Sequence, residues 1–392
     1  MIYRIAADRF FRLLDGMPHG KFEVHCPDGR IRELGQGSSG DVAKLAIHNW
    51  KMFPSVMCRG EIGLTETYRD GYWSTPDLSN VLTTGMENTQ SITSLIRGSF
   101  VTRALSQVKY LARANSLKGS RKNIQAHYDL GNDFYELWLD QGMTYSSALY
   151  QGQEQTNQQE VALNIAQQQK YDRIINQLDA DTGSLLEIGC GWGAFAERAL
   201  ERGDFDYKGV TLSDEQKAYA DNRLGRDDLV KLQDYRHLDG KFQSIVSIEM
   251  FEAVGEAYWP VYFAKLKSLL AEEGTAVLQT ITIKNESFEK YRTRGDMFRT
   301  FIFPGGMLPS PARFAEEAEK VGLQITDQFE FGLDYARTLK VWLADFEANL
   351  DEIRSQGFDE GFIRVWRFYL AACIAGFTTG NTNVMQVKLT HA

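Results

Sequence analysis

A glycine-rich stretch in the middle of the chain has the residue types and spacing of a ligand-binding turn. Apolar residues lead from Ser184 to the acid Glu187, and glycines then alternate with other residues at Gly189, Gly191 and Gly193. Helical spacing of apolar residues follows at once, so the pattern predicts a strand, a tight turn and a helix. Glycine is needed where the backbone takes a positive φ or touches a ligand with no Cβ between them. The stretch therefore predicts a ligand site at the carboxyl end of a strand, over a helix N-terminus.

The spacing of these glycines favours one class of ligand. The G-x-G-x-G run, which includes Cys190, stands two residues after an acid. It resembles the motif of class I S-adenosylmethionine (SAM) methyltransferases, in which the amino-acid end of SAM lies on the glycine turn. An NAD-type fingerprint and a purely structural turn are the alternatives that the motif alone leaves open.

Polar residues follow the next two predicted strands. The second strand of such a fold usually ends on an acid for the ribose diol, but here Thr211, Ser213 and Gln216 are the polar residues within reach. After the third strand, Asp234 offers a carboxylate for the adenine amino group, and Tyr235 offers a ring to flank the base. A turn or cap residue is an equally good interpretation of Asp234 on its own.

Alternating strands and helices surround these residues. The predicted strands are Ser184–Ile188, Tyr207–Thr211, Leu229–Gln233, Phe242–Ile248 and Thr275–Ile281, and the predicted helices are 194–202, 214–223, 258–271, 311–320, 338–354 and 359–375. This order predicts a doubly wound, mostly parallel α/β sheet. Towards the N-terminus, we expect a helix over Ile2–Leu14 and a hairpin from Lys21–Cys26 and Arg30–Leu34.

A basic segment separates the two ends of the chain. Residues 88–128 contain no Asp or Glu, although the whole chain has a net charge of −9. Apolar residues alternate there with Arg97, Arg103, Lys109, Arg113, Lys118, Arg121 and Lys122. The pattern fits one or two amphipathic helices that meet anionic lipid headgroups, where each basic residue contributes ~1 kcal/mol. An ordinary solvated linker helix is the alternative.

An ordered series of motifs makes the resemblance more specific. The motifs are His127–Phe134, Met143–Ala148, Leu163–Lys170, Glu187–Gly193, Gly209–Gln216, Gln233–Arg236, Met250–Gly255, Phe301–Pro309 and Phe331–Trp342. Together they closely resemble the cyclopropane-fatty-acyl-phospholipid synthase family over about residues 120–392. The stretch Gly63–Gly71 is similar to the N-terminal lipid-binding domain of that family.

The resemblance implies a domain organisation and a cofactor. It implies a lipid-binding-like domain at 1–87, a basic amphipathic linker at 88–122, and a SAM-methyltransferase domain with acyl-chain pocket insertions at 123–392. This last domain is expected to have the Rossmann-like class I fold. The residues that the family pattern places around SAM are Tyr145, Ser146, Glu187, Gly189, Cys190, Gly191, Gly193, Thr211, Leu212, Ser213, Gln216, Asp234 and Tyr235.

The resemblance also implies a reaction. The family transfers the SAM methyl group to a cis double bond of an acyl chain in a membrane phospholipid, and a proton is then lost from the carbocation as a cyclopropane ring closes. Bicarbonate is the base. Glu252, Ile281 and Tyr335 match its holders, whereas Ser147 and Gln279 replace a Cys and a His. Two alternatives stay open: a methyl- or methylene-branched product without ring closure, and a SAM- and lipid-binding pseudo-enzyme.

Composition excludes several other classes of function. The 392-residue chain is acidic, which argues against nucleic-acid binding. Its scattered cysteines and histidines predict no disulfide framework and no metal site. We expect no secretory signal and no bilayer-spanning segment. The interpretation is a cytoplasmic enzyme that binds peripherally to the inner membrane surface, and by analogy a homodimer.

Overall fold

The computed structural model describes residues 2–37, 42–88, 130–150 and 162–392. The helices in this part of the chain are α1 Ile2–Asp15, α2 Met52–Arg69, α3 Leu78–Glu87, α4 Asn132–Glu136, α5 Leu163–Asn176, α6 Ala194–Arg202, α7 Asp214–Leu224, α8 Trp259–Leu269, α9 Asn285–Arg292, α10 Pro311–Lys320, α11 Gly332–Ala348, α12 Leu350–Ser355 and α13 Glu360–Thr378. The strands are β1 Phe22–His25, β2 Ile31–Leu34, β3 Ala43–Ile47, β4 Trp73–Ser74, β5 Thr182–Ile188, β6 Asp204–Thr211, β7 Val230–Leu232, β8 Phe242–Ile248, β9 Leu270–Ile283, β10 Leu323–Glu330 and β11 Thr382–His391. The predicted basic linker, apart from Asn88, lies outside the described residues.

Contacts divide the chain into two compact units. The first takes the described residues of Met1–Ala112, Glu289–Pro304 and Asn349–Asn381, and the second those of Arg113–Phe288, Gly305–Ala348 and Thr382–Ala392. The predicted ranges 1–87 and 123–392 were continuous, whereas the first unit also contains α13 from the C-terminal part. The sequence shows that α13 is apolar, but it does not show which partner covers that helix.

The first unit has a four-stranded sheet in the order β2-β1-β3-β4. β1 and β2 form the predicted antiparallel hairpin, and β3 lies parallel to β1. Aromatic rings fill the space between the helices, with Phe53 of α2 at 5.3 Å from Phe10 of α1. Phe368 of α13 lies 5.9 Å from Tyr68 of α2, which shows how α13 joins this unit.

The second unit has a seven-stranded sheet in the order β10-β11-β9-β8-β5-β6-β7. The strands from β9 to β7 pair in parallel, as predicted, while β11 is antiparallel to both of its neighbours. α5 and α6 pack on β5, β8 and β9 through a continuous apolar cluster. This cluster holds the carboxyl ends of β5 and β8 rigidly beside each other.

Most predicted elements of the second unit agree with the structure, and some were missed. The helices at 194–202 and 311–320 and the strand at Phe242–Ile248 have the predicted bounds. The helix predicted at 338–354 begins instead at Gly332 and breaks at Asn349, so Tyr335 lies in its first turn. β10 and β11 were not predicted, and β10 lies at the sheet edge with mostly exposed side chains. An edge strand with few buried residues gives little hydrophobic signal.

Candidate active site

The glycine turn joins β5 to α6. Gly189, Gly191 and Gly193 have φ angles of 86°, 51° and 85°, which are strained for residues that carry a Cβ. A Cβ on Gly189 would lie 2.8 Å from Cγ of Met250, whereas one on Gly191 would meet nothing within 4 Å. The turn is therefore tightly packed at its first glycine and open at its second.

A pocket opens over this turn. The predicted cofactor residues that line it are Tyr145, Ser146, Glu187, Gly189, Cys190, Gly191, Thr211, Leu212, Gln216, Asp234 and Tyr235. Most of them follow the carboxyl ends of β5, β6 and β7, which meet at one edge of the parallel sheet. Distant parts of the sequence thus converge where the glycine motif predicted a ligand.

Two predicted cofactor residues do not line the pocket. A Cβ on Gly193, the residue before α6, would lie 3.1 Å from Cβ of Ala220 in α7, so this glycine permits close helix packing. Oγ of Ser213 accepts a hydrogen bond from the backbone N–H of Gln216 at 3.2 Å and caps α7. The contacts of both residues shape the helices around the pocket.

The polar residues at the far side of the pocket are held by local hydrogen bonds. The hydroxyl of Thr211 donates to Oε1 of Gln216 at 2.8 Å. Asp234 accepts from Nε of Arg236 at 2.9 Å and from Nη2 at 2.6 Å, and it caps the short turn Tyr235–His237. Burial alone would raise the pKa of Asp234, but these bonds lower it below the ordinary value. Asp234 is thus a cap residue that also presents a charged carboxylate to the pocket.

Buried side chains position the segment that carries Tyr145 and Ser146. Nζ of Lys170 donates to Oγ of Ser146 at 2.7 Å, and Nε2 of Gln167 donates to the carbonyl of Ser146 at 2.9 Å. Lys170 is fully buried, and burial lowers its pKa to about 7. Nearby Glu249, Asp140 and Glu187 oppose this shift. A buried amine among carboxylates therefore lies behind the pocket residue Ser146.

Glu249, which directly follows β8, is the point at which three predicted catalytic residues meet. Its Oε1 accepts from the backbone N–H of Ser147 at 2.9 Å and from Nε2 of Gln279 at 2.7 Å. Its Oε2 accepts from the hydroxyl of Tyr335 at 2.7 Å. The Ser147 hydroxyl instead donates to the carbonyl of Ala148 at 2.9 Å. Since Glu249 lines the pocket, these partners fix a carboxylate on the pocket wall.

Two side-chain amides connect this carboxylate to Arg173, a partly buried cation that also pairs with Asp327. Nε2 of Gln386 donates to Oε1 of Gln279 at 3.0 Å, and Nη1 of Arg173 donates to Oε1 of Gln386 at 2.8 Å. Gln279 and Gln386 are opposite each other on β9 and β11. Every donor in the series points towards Glu249, so the chain fixes the amide orientation of Gln279. Burial raises the pKa of Glu249, and the hydrogen bonds from Tyr335, Ser147 and Gln279 offset this shift only in part.

Glu252 and Ile281, the other predicted catalytic residues, pair with each other. The backbone N–H of Ile281 donates to Oε1 of Glu252, and the hydroxyl of Thr280 donates to the same oxygen at 2.9 Å. Oε2 of Glu252 is buried without a hydrogen-bond partner among the described residues. Burial raises the pKa of Glu252 to about 8, and the charge of Glu249 adds to the shift. Glu252 is therefore largely protonated at neutral pH.

The family model described as mycolic acid cyclopropane synthetase matches residues 115–387. The chain belongs to this family. The predicted relationship to the cyclopropane-fatty-acyl-phospholipid synthases is thereby confirmed, and the chain is a SAM-dependent C-methyltransferase.

Individual relatives agree with this assignment. The chain is 36% identical over 381 residues to tuberculostearic acid methyltransferase UfaA1 of Mycobacterium tuberculosis. This alignment covers 93% of this chain and 82% of that protein. It is 34% identical to the cyclopropane-fatty-acyl-phospholipid synthase of Escherichia coli K12, covering 88% and 87% of the two chains. The crystal structure of mycolic acid cyclopropane synthase CmaA1 with SAH and CTAB superposes with a TM-score of 0.62 at 32% identity, covering 69% of this chain and 97% of that one. The predicted class I fold is confirmed.

The pocket of this protein fits SAM. The space left at Gly191 suits the methionyl group, and Thr211 and Gln216 lie where the ribose would be bound. Asp234 and Tyr235 lie at the end of β7, where the family pattern places adenine. SAM is the cofactor, as predicted. The assignment of individual residues to its parts stays a prediction.

The residues do not fit bicarbonate, the other group that the resemblance implied. The N–H of Ser147, the amide of Gln279 and the hydroxyl of Tyr335 already donate to Glu249, and the N–H of Ile281 donates to Glu252. Sequence reasoning missed Glu249 because the motif that drew attention begins one residue later, at Met250. The available signal was an acid directly after a predicted strand.

Proposed function

We propose that this enzyme transfers the methyl group of SAM to a cis double bond in an unsaturated acyl chain of a membrane phospholipid, and that the product is a cyclopropane acyl chain. The observation that carries the proposal is that one pocket is lined both by the glycine turn and by Glu249 with its buried donors. Family membership and the synthase names of its relatives support the same reaction.

Alignment is the main requirement of the first step. SAM supplies an electrophilic methyl group when bound, but an alkene is a weak nucleophile. Orientation of the two reactants can contribute ~7–11 kcal/mol to lowering the barrier. Lys170 and Gln167 hold the 144–147 segment, and Tyr145 from this segment lines the pocket. These buried contacts keep the wall rigid, which favours a single alignment.

Aromatic rings can stabilise the positive charge that methyl transfer places on the acyl chain. The Tyr145 ring lies 5.6 Å from the ring of Trp342, and the Tyr335 ring lies 6.0 Å from it. Trp342 is fully buried, so both tyrosines are fixed against a rigid partner. Tyr145 lines the pocket, so its face can interact with a cation, and a site closed to water would protect that cation from attack.

A branched product is the second candidate, and one observation favours it. The relative UfaA1 is named a methyltransferase rather than a synthase of cyclopropane chains. Loss of a proton from a neighbouring chain carbon would instead leave a methyl branch beside a double bond. A hydride shift along the chain, followed by loss of a proton from the methyl carbon, would leave a methylene branch; neither product has a ring. A SAM- and lipid-binding pseudo-enzyme fits less well, because Glu252 and Tyr335 are retained and hydrogen-bonded.

We also propose that the enzyme works at the inner membrane surface as a peripheral, cytoplasmic protein. The support is the predicted basic linker at 88–122, together with the similarity of Gly63–Gly71 to the N-terminal lipid-binding domain of the family. A homodimer remains part of this proposal by analogy with the family.

Among the described helices, none is long and apolar enough to cross a membrane. Membrane binding is tested by sedimentation with anionic vesicles, and the protein should sediment with them at low salt. Absence of binding at any salt concentration would favour a soluble substrate.

Expression in a bacterium that lacks its own cyclopropane synthase tests the reaction. Fatty acids are analysed by gas chromatography–mass spectrometry before and after mild hydrogenation. We expect a new fatty acid that is one methylene group heavier than its monounsaturated parent. It should have no double bond, so mild hydrogenation should leave it unchanged, and it should differ from the straight chain. A Gly191→Leu variant, which fills the open part of the turn, is the control and should give no such chain. Detection of a methyl- or methylene-branched chain instead would rule out ring closure and support the branched product, the second candidate.

A further inference from the structure

Glu249 holds the position that the family resemblance assigned to bicarbonate. The anion there was expected to be bound by Ser147, Gln279 and Tyr335, and these residues instead surround a carboxylate of the chain itself. Bicarbonate and a glutamate carboxylate present the same planar pair of oxygens to hydrogen-bond donors. A single side chain can therefore satisfy the donors that would otherwise bind a separate anion.

The backbone at Glu249 shows that this placement is enforced. Its φ angle is 49°, in the left-handed region that costs a residue with a Cβ about 1–2 kcal/mol. The backbone N–H of Glu249 donates to the carbonyl of Gln279 at 2.8 Å, which holds the strained conformation. Strain of this kind persists where the surrounding structure fixes it, and it is concentrated at functional sites.

The carboxylate retains the capacity to accept a proton. Oε1 of Glu249 accepts two hydrogen bonds, from Ser147 and Gln279, which use both of its lone pairs. Oε2 accepts one, from Tyr335, and has a second lone pair available among the described residues. Glu249 lines the pocket, and Oε2 is its oxygen with a lone pair to spare, so we assign the proton to Oε2.

We propose that the Glu249 carboxylate is the catalytic base in place of bicarbonate, so that the enzyme turns over without bicarbonate. This inference rests on the proposed function. In the step it assigns, a C–H bond of the transferred methyl carbon breaks and its proton passes to Oε2 of Glu249. The electron pair of that bond forms the C–C bond that closes the ring on the cationic carbon. The acyl chain becomes neutral, and Glu249 later returns its proton to water.

A Glu249→Gly variant provides the decisive test. Glycine suits the left-handed φ and leaves the donors of Ser147, Gln279 and Tyr335 free for an added anion. In buffer freed of carbon dioxide, the wild type should form product at the same rate with and without added bicarbonate. The variant should lose about a hundredfold or more in rate and regain part of it when bicarbonate is added. Glu201→Gln, at an exposed position of α6, is the matched control and should behave as the wild type.

A binding measurement separates this inference from the proposed function. Labelled bicarbonate, followed by NMR line broadening, should bind to the Glu249→Gly variant and not to the wild type, and this readout needs no turnover. SAM affinity and the thermal midpoint show whether the variant is folded. Bicarbonate binding by the wild type, or wild-type turnover that requires bicarbonate, would overturn the inference. Absence of any lipid product from the wild type would instead overturn the proposed function.

Discussion

The two ends of the pocket are built in different ways. The glycine end is made by the backbone: Gly189 and Gly191 take positive φ angles, and the missing Cβ of Gly191 leaves space for a ligand. The carboxylate end is made by side chains, and Glu249 takes a positive φ although it carries a Cβ. The glycine end follows the family pattern. The carboxylate end departs from it, because the chain provides an anion that its relatives are expected to bind from solution.

This difference separates two kinds of effect. Changes at the glycine end should alter the affinity for SAM, because they change the shape of its site. Changes at the carboxylate end should alter turnover and leave SAM affinity unchanged, because Glu249 and its donors act after the cofactor has bound.

The largest of these effects is expected for Tyr335→Phe. This change removes the hydroxyl that donates to Oε2 of Glu249 and preserves the ring beside Trp342. We expect kcat to fall about a hundredfold, while SAM affinity measured by calorimetry stays within about twofold. Tyr3→Phe, at an exposed position of α1, is the control. An equal loss of SAM affinity would show that the two ends are not separate.

A smaller effect, on SAM affinity rather than on kcat, is expected for Gly189→Ala. The new Cβ would meet Cγ of Met250 at a φ of 86°, so the turn must shift. We expect SAM affinity to fall about tenfold and the free energy of unfolding to fall by about 2 kcal/mol. Gly225→Ala has a similar φ of 63° with open space around it, so it should lose stability without losing SAM affinity.

A weaker effect is expected at the remote end of the amide chain. Arg173→Met removes the donor to Gln386 and so loosens the orientation of Gln279, which in turn donates to Glu249. We expect kcat to fall about fivefold with unchanged SAM affinity. Arg173→Lys keeps the charge and should recover part of the rate. Equal rates for both variants would contradict a role for this chain in positioning the amide.

The remaining effect is on stability rather than on turnover or SAM affinity, and it depends on pH. Because Glu252 has a pKa raised from 4.5 to about 8, the folded state binds its proton more tightly than the unfolded state. Its contribution to the free energy of unfolding is present below pH 4.5 and is lost as the pH rises towards 8. The slope is at most about 1.4 kcal/mol per pH unit. Glu252→Gln should flatten this fall in urea titrations, whereas Glu201→Gln should not.

The glycine end could be predicted from the sequence, and the carboxylate end only in part. A run of glycines between a strand and a helix has a local cause, so the turn and the bounds of α6 followed from spacing alone. Ser147, Gln279 and Tyr335 were predicted singly, but their meeting point depends on how distant segments pack. Nothing local to Glu249 shows that its side chain faces all three.

Elements whose partners are distant in the sequence were also hard to predict. β10 is paired at the sheet edge and has few buried residues of its own. β11 buries Val384, Val387 and Leu389, but it does so between two strands that are distant in the sequence. Likewise, α13 has an apolar face, but only the fold shows that Tyr68 and Phe368 bring it into the first unit.

Proton removal by Glu249 can be tested directly by following the hydrogens of the transferred methyl group. Purified enzyme is given unsaturated phospholipid vesicles and SAM with a fully deuterated methyl group, in buffer freed of carbon dioxide, and the lipid product is analysed by mass spectrometry. If Glu249 removes a hydrogen from the transferred methyl carbon, the product is a labelled cyclopropane chain that has lost one deuterium. A product that keeps every deuterium, or no labelled lipid until bicarbonate is added, would contradict proton removal by Glu249.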